Sequence, residues 1–499
     1  MKKYPYLSFI LLITLVYSCI CNSIYYGALL DGHKFVIAFV LSFFASLPYW
    51  YFIGLFRALF YLLLPLTFIF SAVATYFVKV HNAEISKMSV IAIVETNPHE
   101  AIDVIDKTLV SYVIIAIILS AVCLYARTKL KRPPLQHNIV VLTLALLFAL
   151  AYNFFKPEYL HHSNYSMPYV MWNATHKGIK RHIELKNIKR IALTDVATFE
   201  RKDDSPLTVV FVIGESLRSD HLHINGYERN TTPYLDKSEA VAYKDAIACA
   251  ASTSLSVPCM LTRANNIHDD SWSNETSFVS IFKSLGFETW WLSNQYNFRA
   301  SESTTALIAA EADHIFRHKN SIIWGAKTLD TDLAPYIKDA LATPASKKLI
   351  MVHTYGSHWH FDSKYMAEDA YFKPYCENKE LSECSQEALV NSYDNSVRAT
   401  DKFFGELFLM LANERAIVIY ASDHGSELDN KEILNRSSKD VLNVPIIVWF
   451  SPALRQDARY KNVVKNSSKK IDHSYLFHST TDCAGIESNI IDKGRSVCR

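Results

Sequence analysis

The stretch Leu207-Thr-Val-Val-Phe-Val-Ile213, followed directly by Gly214-Glu215-Ser216, carries the reading of the fold. Seven consecutive aliphatic, aromatic or β-branched residues suit a strand buried on both faces, and the small residue after them marks its end. Shorter runs of the same character recur at residues 288–292, 348–352, 416–420 and 444–450, with helical patterning between them. That alternation predicts an α/β domain with a mainly parallel sheet flanked by helices. In such sheets ligands bind beyond the carboxyl ends of the strands. Glu215 follows the first run, His353 and His358 follow the third, and Ser422-Asp423-His424-Gly425 follows the fourth. One carboxylate or imidazole after a strand is more often a cap or a solvated loop residue. Three such ends side by side make a donor set of the kind that Zn2+ or a similar divalent ion needs.

Upstream the chain changes character. It has 499 residues, half of them hydrophobic, and the mean hydropathy is slightly positive. Residues 4–30, 36–56, 58–78, 108–126 and 133–155 hold no charged side chain. Each approaches or exceeds the ~20 apolar residues that span a bilayer core, so a five-helix transmembrane domain is expected over residues 1–155. The first segment is long for a signal peptide and lacks a clear cleavage site, so it is read as retained. Lys2 and Lys3, Arg57, and the set Arg127, Lys129, Lys131 and Arg132 then share one side, which the positive-inside rule makes cytoplasmic. Five spans put the rest of the chain outside. The charged loop at 79–107 is expected to lie at the periplasmic surface. Residues 156–205 read as an interfacial linker with Tyr165, Tyr169 and Trp172, and residues 206–499 as the periplasmic α/β domain. The net charge is only +2 and no block of Lys and Arg gathers on one face, which argues against nucleic acid as a partner. Six cysteines fall in the exported part, Cys249, Cys259, Cys376, Cys384, Cys483 and Cys498, in three sequence-local pairs that suit disulfides. Spacing alone leaves their connectivity open.

Cys249 and Cys259 bracket Ala-Ala-Ser252-Thr253-Ser254-Leu-Ser256-Val-Pro258. By itself this reads as a hydroxyl-rich turn capping a helix. A hydroxyl there becomes a nucleophile only if a metal or base activates it.

Taken together these residues resemble the phosphoethanolamine transferases, the membrane-bound branch of the alkaline phosphatase and sulfatase superfamily. Gly214-Glu215-Ser216-Leu-Arg218-Ser-Asp220-His221 with Asn225-Gly226-Tyr227-Glu228-Arg229-Asn230-Thr231-Thr232-Pro233 is similar to their opening motif. The Thr253-to-Met260 segment is similar to their nucleophile loop, and Ser422-Asp423-His424-Gly425 to their metal-binding turn. Five helices before a periplasmic catalytic domain are also the family's layout, which places the chain in a bacterial inner membrane. The resemblance implies Thr253 as nucleophile, and Glu215, Thr253, Asp423 and His424 as ligands of the main Zn2+. It implies His353 and His358 as residues that contact a second metal or the phosphoryl group and act in acid–base catalysis. It also implies a Cys249–Cys259 disulfide around the nucleophile. Leu292-Ser293-Asn294-Gln295, His353-Thr-Tyr-Gly356-Ser-His358 and Glu95-Thr-Asn-Pro-His-Glu100 are similar to members that modify the lipopolysaccharide core, and place Asn294 with the substrate-binding residues.

The chain departs from the family in two respects, one of them Gly425-Ser426-Glu427, where an acidic residue is expected directly after the glycine. A histidine expected a little over a dozen residues past Asp423 is absent, and Arg436 stands in its neighbourhood, where a guanidinium suits a phosphoryl oxygen. The expected reaction moves phosphoethanolamine from phosphatidylethanolamine to lipid A, a core sugar or a periplasmic glycan through a phosphothreonine. Alternatives are a phosphoglycerol transferase of the lipoteichoic-acid type, a membrane-bound phosphodiesterase or sulfatase-type hydrolase, and a degenerate member acting as a scaffold. The first of these lacks the bracketing cysteines. A sulfatase would need an arginine that Ser256-Val-Pro258-Cys259-Met260 does not have.

Overall fold

The computed structural model describes residues 5–27, 32–81, 85–95, 105–134, 136–141, 143–144, 147–148, 167–295, 303–318, 327–377, 384–429 and 438–499. The chain divides into two compact units, Met1–Val94 with Val104–His182, and Ile183–Arg499 with Glu95–Asp103.

The first unit is helical. Helix α1 (Pro5–Tyr17) continues through a π turn at Ser18–Asn22 into Ser23–Gly27. It is followed by α2 (Gly32–Leu55), α3 (Arg57–His81), α4 (Lys87–Glu95) and α5 (Lys107–Thr128). Among the described residues, four helices are long and apolar enough to cross a membrane: Pro5–Gly27, Gly32–Leu55, Arg57–Val80 and Lys107–Thr128. About half of the expected fifth span, residues 133–155, lies outside the described residues, and among those described four candidate spans stand where five were expected. Inside the bundle, Tyr17 OH meets Ser71 Oγ at 2.5 Å and Tyr49 OH meets Thr67 Oγ1 at 2.5 Å. Leu12, Leu62 and Ile118 face outward. That inversion fits a lipid surround, where apolar side chains lose nothing by exposure and polar ones must find partners within the bundle. Helix α6 (Tyr169–Asn187) occupies part of the expected linker. Its Tyr169 OH donates to Ala45 O at 3.0 Å and Trp172 Nε1 donates to Tyr49 OH at 3.3 Å.

The second unit is built on a seven-stranded sheet: β1 (Leu207–Gly214), β2 (Val241–Ile247), β3 (Glu288–Ser293), β4 (His314–Arg317), β5 (Lys347–His353), β6 (Ala416–Ser422) and β7 (Asn443–Phe450). Their order across the sheet is β2-β7-β6-β1-β5-β3-β4. Strand β1 lies between β5 and β6, parallel to both, and all eight of its residues are buried. Strand β7 runs antiparallel to β6 and β2, so the sheet is mixed at one side although parallel through its middle. Side chains alternate along each strand. Val209, Phe211 and Ile213 join the core on one face, and Val210 and Val212 join the core on the other. Helices α7 (Thr253–Leu261) and α9 (Ser474–Cys483) lie on the first face. On the second lies α8 (Gln386–Leu411), whose Leu389, Tyr393, Val397, Phe404, Leu407 and Leu411 form one buried stripe. Three disulfides close the three sequence-local pairs: Cys249–Cys259, Cys376–Cys384 and Cys483–Cys498.

Candidate metal and nucleophile site

Register brings the strand ends together. Ile213 of β1 pairs with His353 of β5, Gly214 pairs with Ser422 of β6, and Ser293 of β3 pairs with His353. The next residues on each strand therefore meet in one place. Gly214 is required there, because a Cβ at that position would lie 2.1 Å from Tyr420 OH. The chain then turns sharply through Ser216, which takes a left-handed φ of 59°. Asp423 Oδ1 holds that turn by accepting the Ser216 N–H at 3.1 Å. On β5 the loop returns past Glu215 so closely that a Cβ on Gly356 would lie 2.4 Å from the Glu215 carbonyl oxygen.

Glu215, Asp423 and His424 each offer one ligand atom within 4.8 Å of the others, and all three are buried. The His424 Nδ1–H donates to Gly425 O at 2.7 Å, so its Nε2 lone pair faces Glu215 Oε1 at 3.4 Å and Asp423 Oδ2 at 3.5 Å. Asp423 Oδ2 is buried and accepts no hydrogen bond among the described residues. Burial pushes the Asp423 carboxyl well above the usual carboxylate range, and the Glu215 charge pushes it further. Burial also pushes Glu215 up, but the imidazoles of His424 and His358 and hydrogen bonds from Ser216 and Gln295 outweigh it and hold Glu215 at about 2. Two buried carboxylates, an imidazole lone pair and an orphan oxygen aimed at one point fit a divalent cation, which would supply the positive charge that no Lys or Arg among the described residues supplies.

Thr253 sits at the first turn of α7, where helix N–H groups favour negative charge. Its Oγ1 donates to Glu215 Oε2 at 3.1 Å. Two contacts fix α7 here. Ser256 Oγ donates to Asp423 O at 2.5 Å, and the buried His473 ring accepts the Cys249 N–H at Nδ1, 3.1 Å, while its Nε2 donates to Ser422 O at 3.0 Å.

His353 is buried with no partner on either ring nitrogen among the described residues. Burial lowers its pKa to about 4, against the raising pull of Glu215, so it is neutral at pH 7. His358 lies close enough to act on Glu215, and its Nδ1 donates to Trp359 O at 2.6 Å. Asn294 turns elsewhere: its amide donates to Leu329 O at 2.9 Å and Asp330 Oδ1 at 3.1 Å. The neighbour Gln295 reaches the cluster, donating to Glu215 Oε2 and Thr354 O, both at 3.0 Å. Arg436 lies outside the described residues. Gln295 and Ser256 lie inside sequence motifs that assign them no role, and nothing local distinguishes His473. Only the adjacency of Gln295 to Asn294 in a strand-end motif could have pointed to one of them.

The sulfatase family model matches residues 207–486, and the model described as phosphoethanolamine transferase EptA/EptB matches residues 38–166. The Kdo(2)-lipid A phosphoethanolamine 7''-transferase of Salmonella typhimurium is 30% identical over 302 residues, 58% of this chain and 53% of that protein. The chain thus aligns with about half the length of its first curated relatives. Among solved structures, the integral membrane lipooligosaccharide phosphoethanolamine transferase A (EptA) of Neisseria meningitidis superposes with a TM-score of 0.85 at 22% identity, covering 98% of each chain. The C-terminal periplasmic domain of EptC from Escherichia coli, solved in complex with Zn, gives a TM-score of 0.55 at 23% identity over 62% of this chain and 90% of that one.

Proposed function

The chain belongs to the sulfatase family, and from that premise we propose that it transfers phosphoethanolamine from phosphatidylethanolamine to a lipopolysaccharide or periplasmic glycan acceptor through a covalent threonine intermediate. The observation that carries the reading is Thr253 Oγ1 at 3.1 Å from Glu215 Oε2, at the edge of the Glu215, Asp423 and His424 cluster. The match to the phosphoethanolamine transferase EptA/EptB model and the similarity to a Kdo(2)-lipid A phosphoethanolamine 7''-transferase favour this donor group over a glycerophosphate or sulfate.

Zinc is the ion we assign. Glu215, Asp423, His424 and Thr253 Oγ1 offer four O and N donors, the number a zinc site takes, and the EptC domain of like fold was solved with that metal. When bound, the ion supplies Lewis acidity to the threonine oxygen and to the phosphoryl group. Thr253 Oγ1 attacks the phosphorus, the P–O bond to diacylglycerol breaks, and the threonine proton ends on the diacylglycerol oxygen. An acceptor hydroxyl then attacks the same phosphorus, the Thr253–phosphorus bond breaks, and the acceptor's proton returns to Thr253. His353 or His358 carries the proton. The His358 Nδ1–H is engaged with Trp359 O, which leaves the lone pair on Nε2 for that task. Arg436 is assigned to a phosphoryl oxygen on charge alone.

We place the chain in the bacterial inner membrane with the α/β unit in the periplasm. The apolar helices support insertion in a membrane, and the three disulfides support an oxidising compartment for the α/β unit. A lipid donor also puts the substrate at the surface to which the α/β unit is tethered.

The test is the intact mass of full-length protein in detergent after incubation with zinc and phosphatidylethanolamine. Wild type is expected to gain the mass of one phosphoethanolamine, and Thr253→Ala none. An unmodified wild type with zinc bound, or a modified Thr253→Ala, would refute the covalent route.

A further inference from the structure

One end of the helical unit concentrates positive charge without compensation. Arg57 opens α3, and Arg127, Lys129, Lys131 and Arg132 lie in and after the last turn of α5. Residues 1–30, 32–83 and 107–157 contain no Asp or Glu. Asp106 belongs to the opposite end of α5, a 22-residue helix and so about 33 Å away. Among the described residues, no carboxylate pairs with these five cations.

Two of them are forced together. Arg127 is fully buried, its Nε donating to Gly54 O at 2.8 Å and its Nη1 to Leu130 O at 3.0 Å. Arg57 Nη2 donates to the same Leu130 oxygen at 3.5 Å. The two guanidinium groups thus share one carbonyl, and Arg127 Nη2 has no acceptor among the described residues. Membrane orientation requires cations somewhere near the helix ends, not a buried arginine with a spare donor or a second arginine on its carbonyl. Capping of the α2 and α5 carbonyls explains Arg127 Nε and Nη1, but neither Nη2 nor Arg57. Like charges at this spacing in a partly dry place call for an anion between or beside them.

We propose that this end of the bundle binds the phosphate of an anionic phospholipid headgroup, with Arg57 and Arg132 as the exposed contacts and Arg127 as the buried charge behind them. Guanidinium groups match phosphate oxygens in geometry as well as charge. A free phosphate offers the same chemistry, but the surroundings favour a lipid. Phe52, Phe56 and Leu59 on one side and Val122 and Tyr125 on the other are exposed apolar residues beside the cations, where acyl chains would lie. Arg132 stands 5.9 Å over the Phe56 ring, at the boundary between the two surfaces. Basic pockets between membrane helices recognise anionic headgroups by this combination.

The experiment titrates full-length protein in dodecyl maltoside with phosphatidylglycerol, phosphatidylcholine or inorganic phosphate and counts bound lipid by native mass spectrometry. Phosphatidylglycerol is expected to bind roughly tenfold more tightly than phosphatidylcholine, and that preference is expected to vanish in Arg57→Gln/Arg132→Gln. Helicity reports whether the double variant is folded. If it is not, Lys131→Gln/Arg132→Gln, which alters only exposed side chains, takes its place and is expected to reduce the preference. Equal binding of the two lipids, displacement of phosphatidylglycerol by an equal concentration of inorganic phosphate, or an unchanged preference in a folded variant would each overturn the proposal.

Discussion

Glu215 is held from three sides, and each contact fixes a different property. Ser216 Oγ donates to Oε1 at 2.6 Å, while Thr253 and Gln295 donate to Oε2. Gln295 also donates to Thr354 O, so its amide is locked between β5 and the carboxylate. That makes Gln295 a positioning residue: it sets the orientation of a ligand oxygen without touching a substrate. Removing such a partner typically costs roughly 10- to 100-fold in metal affinity or activity. Gln295→Leu is therefore expected to weaken zinc binding in that range, and Gln295→Glu to weaken it differently, because it replaces a donor with a charge beside Glu215. Zinc titration with a competing chelator reads both, and a Gln295→Leu affinity equal to wild type would show that the hydrogen bond is idle.

The elements around the site show what sequence patterning can and cannot reach. Strands β1, β3, β5, β6 and β7 were legible because each is a near-continuous apolar run, buried on both faces. Strand β2 was not, because Lys244 and Asp245 interrupt it at a register shift, and β4 was not, because its four residues are an exposed edge. Strand direction was also hidden: the β7 run reads the same whether parallel or antiparallel. The ligands Glu215, Asp423 and His424 could be found because they follow strands directly, whereas His473 lies 50 residues beyond Asp423 and joins the site only in space. Yet His473 connects three segments, the Cys249 loop, α7 through the Ser256 hydroxyl within 3.1 Å, and the β6 end. His473→Ala would leave a buried N–H and C=O unpaired and open a cavity. The expected loss is about 2–4 kcal/mol of stability, measured by denaturant unfolding of the detergent-solubilised chain. His473→Gln, which can still reach one of those groups, is expected to recover part of it. A loss below about 0.5 kcal/mol for the alanine variant would mean that the disulfide and the Ser256–Asp423 hydrogen bond hold α7 in place without His473.

At the scale of the whole molecule, two carboxyls, half-buried Asp457 and buried Asp401, pull the pH response of the α/β unit in opposite directions. Asp457, hydrogen-bonded by Arg459, is held below the usual carboxylate range although burial opposes it. Its stabilising contribution is present above the unfolded pKa and disappears as pH falls. Asp401 on α8 behaves the other way. It is 1% exposed, accepts the N–H groups of Tyr234 at 2.8 Å and Leu235 at 2.9 Å, and so seats the turn after Asn230-Thr231-Thr232-Pro233 on the long helix. Burial raises its pKa to about 7, outweighing those two hydrogen bonds, with Asp236 adding to the rise and Arg398 opposing it. A folded pKa above the unfolded value of ~3.9 means that the folded state binds the extra proton. The contribution is therefore complete below pH ~4 and is lost as pH rises through about 7. Between pH 5 and 8 the change amounts to about 3 kcal/mol, the cost of ionising a carboxyl that folding has removed from water. Asp401→Asn cannot ionise, so the wild type should lose stability relative to the variant across that interval, whatever fixed cost the lost acceptor imposes at every pH. Unfolding midpoints of the two proteins, followed from pH 5 to 8 in the same detergent, supply the difference. If the two curves run parallel, Asp401 is ionised throughout, and its two backbone hydrogen bonds, not its burial, determine its charge.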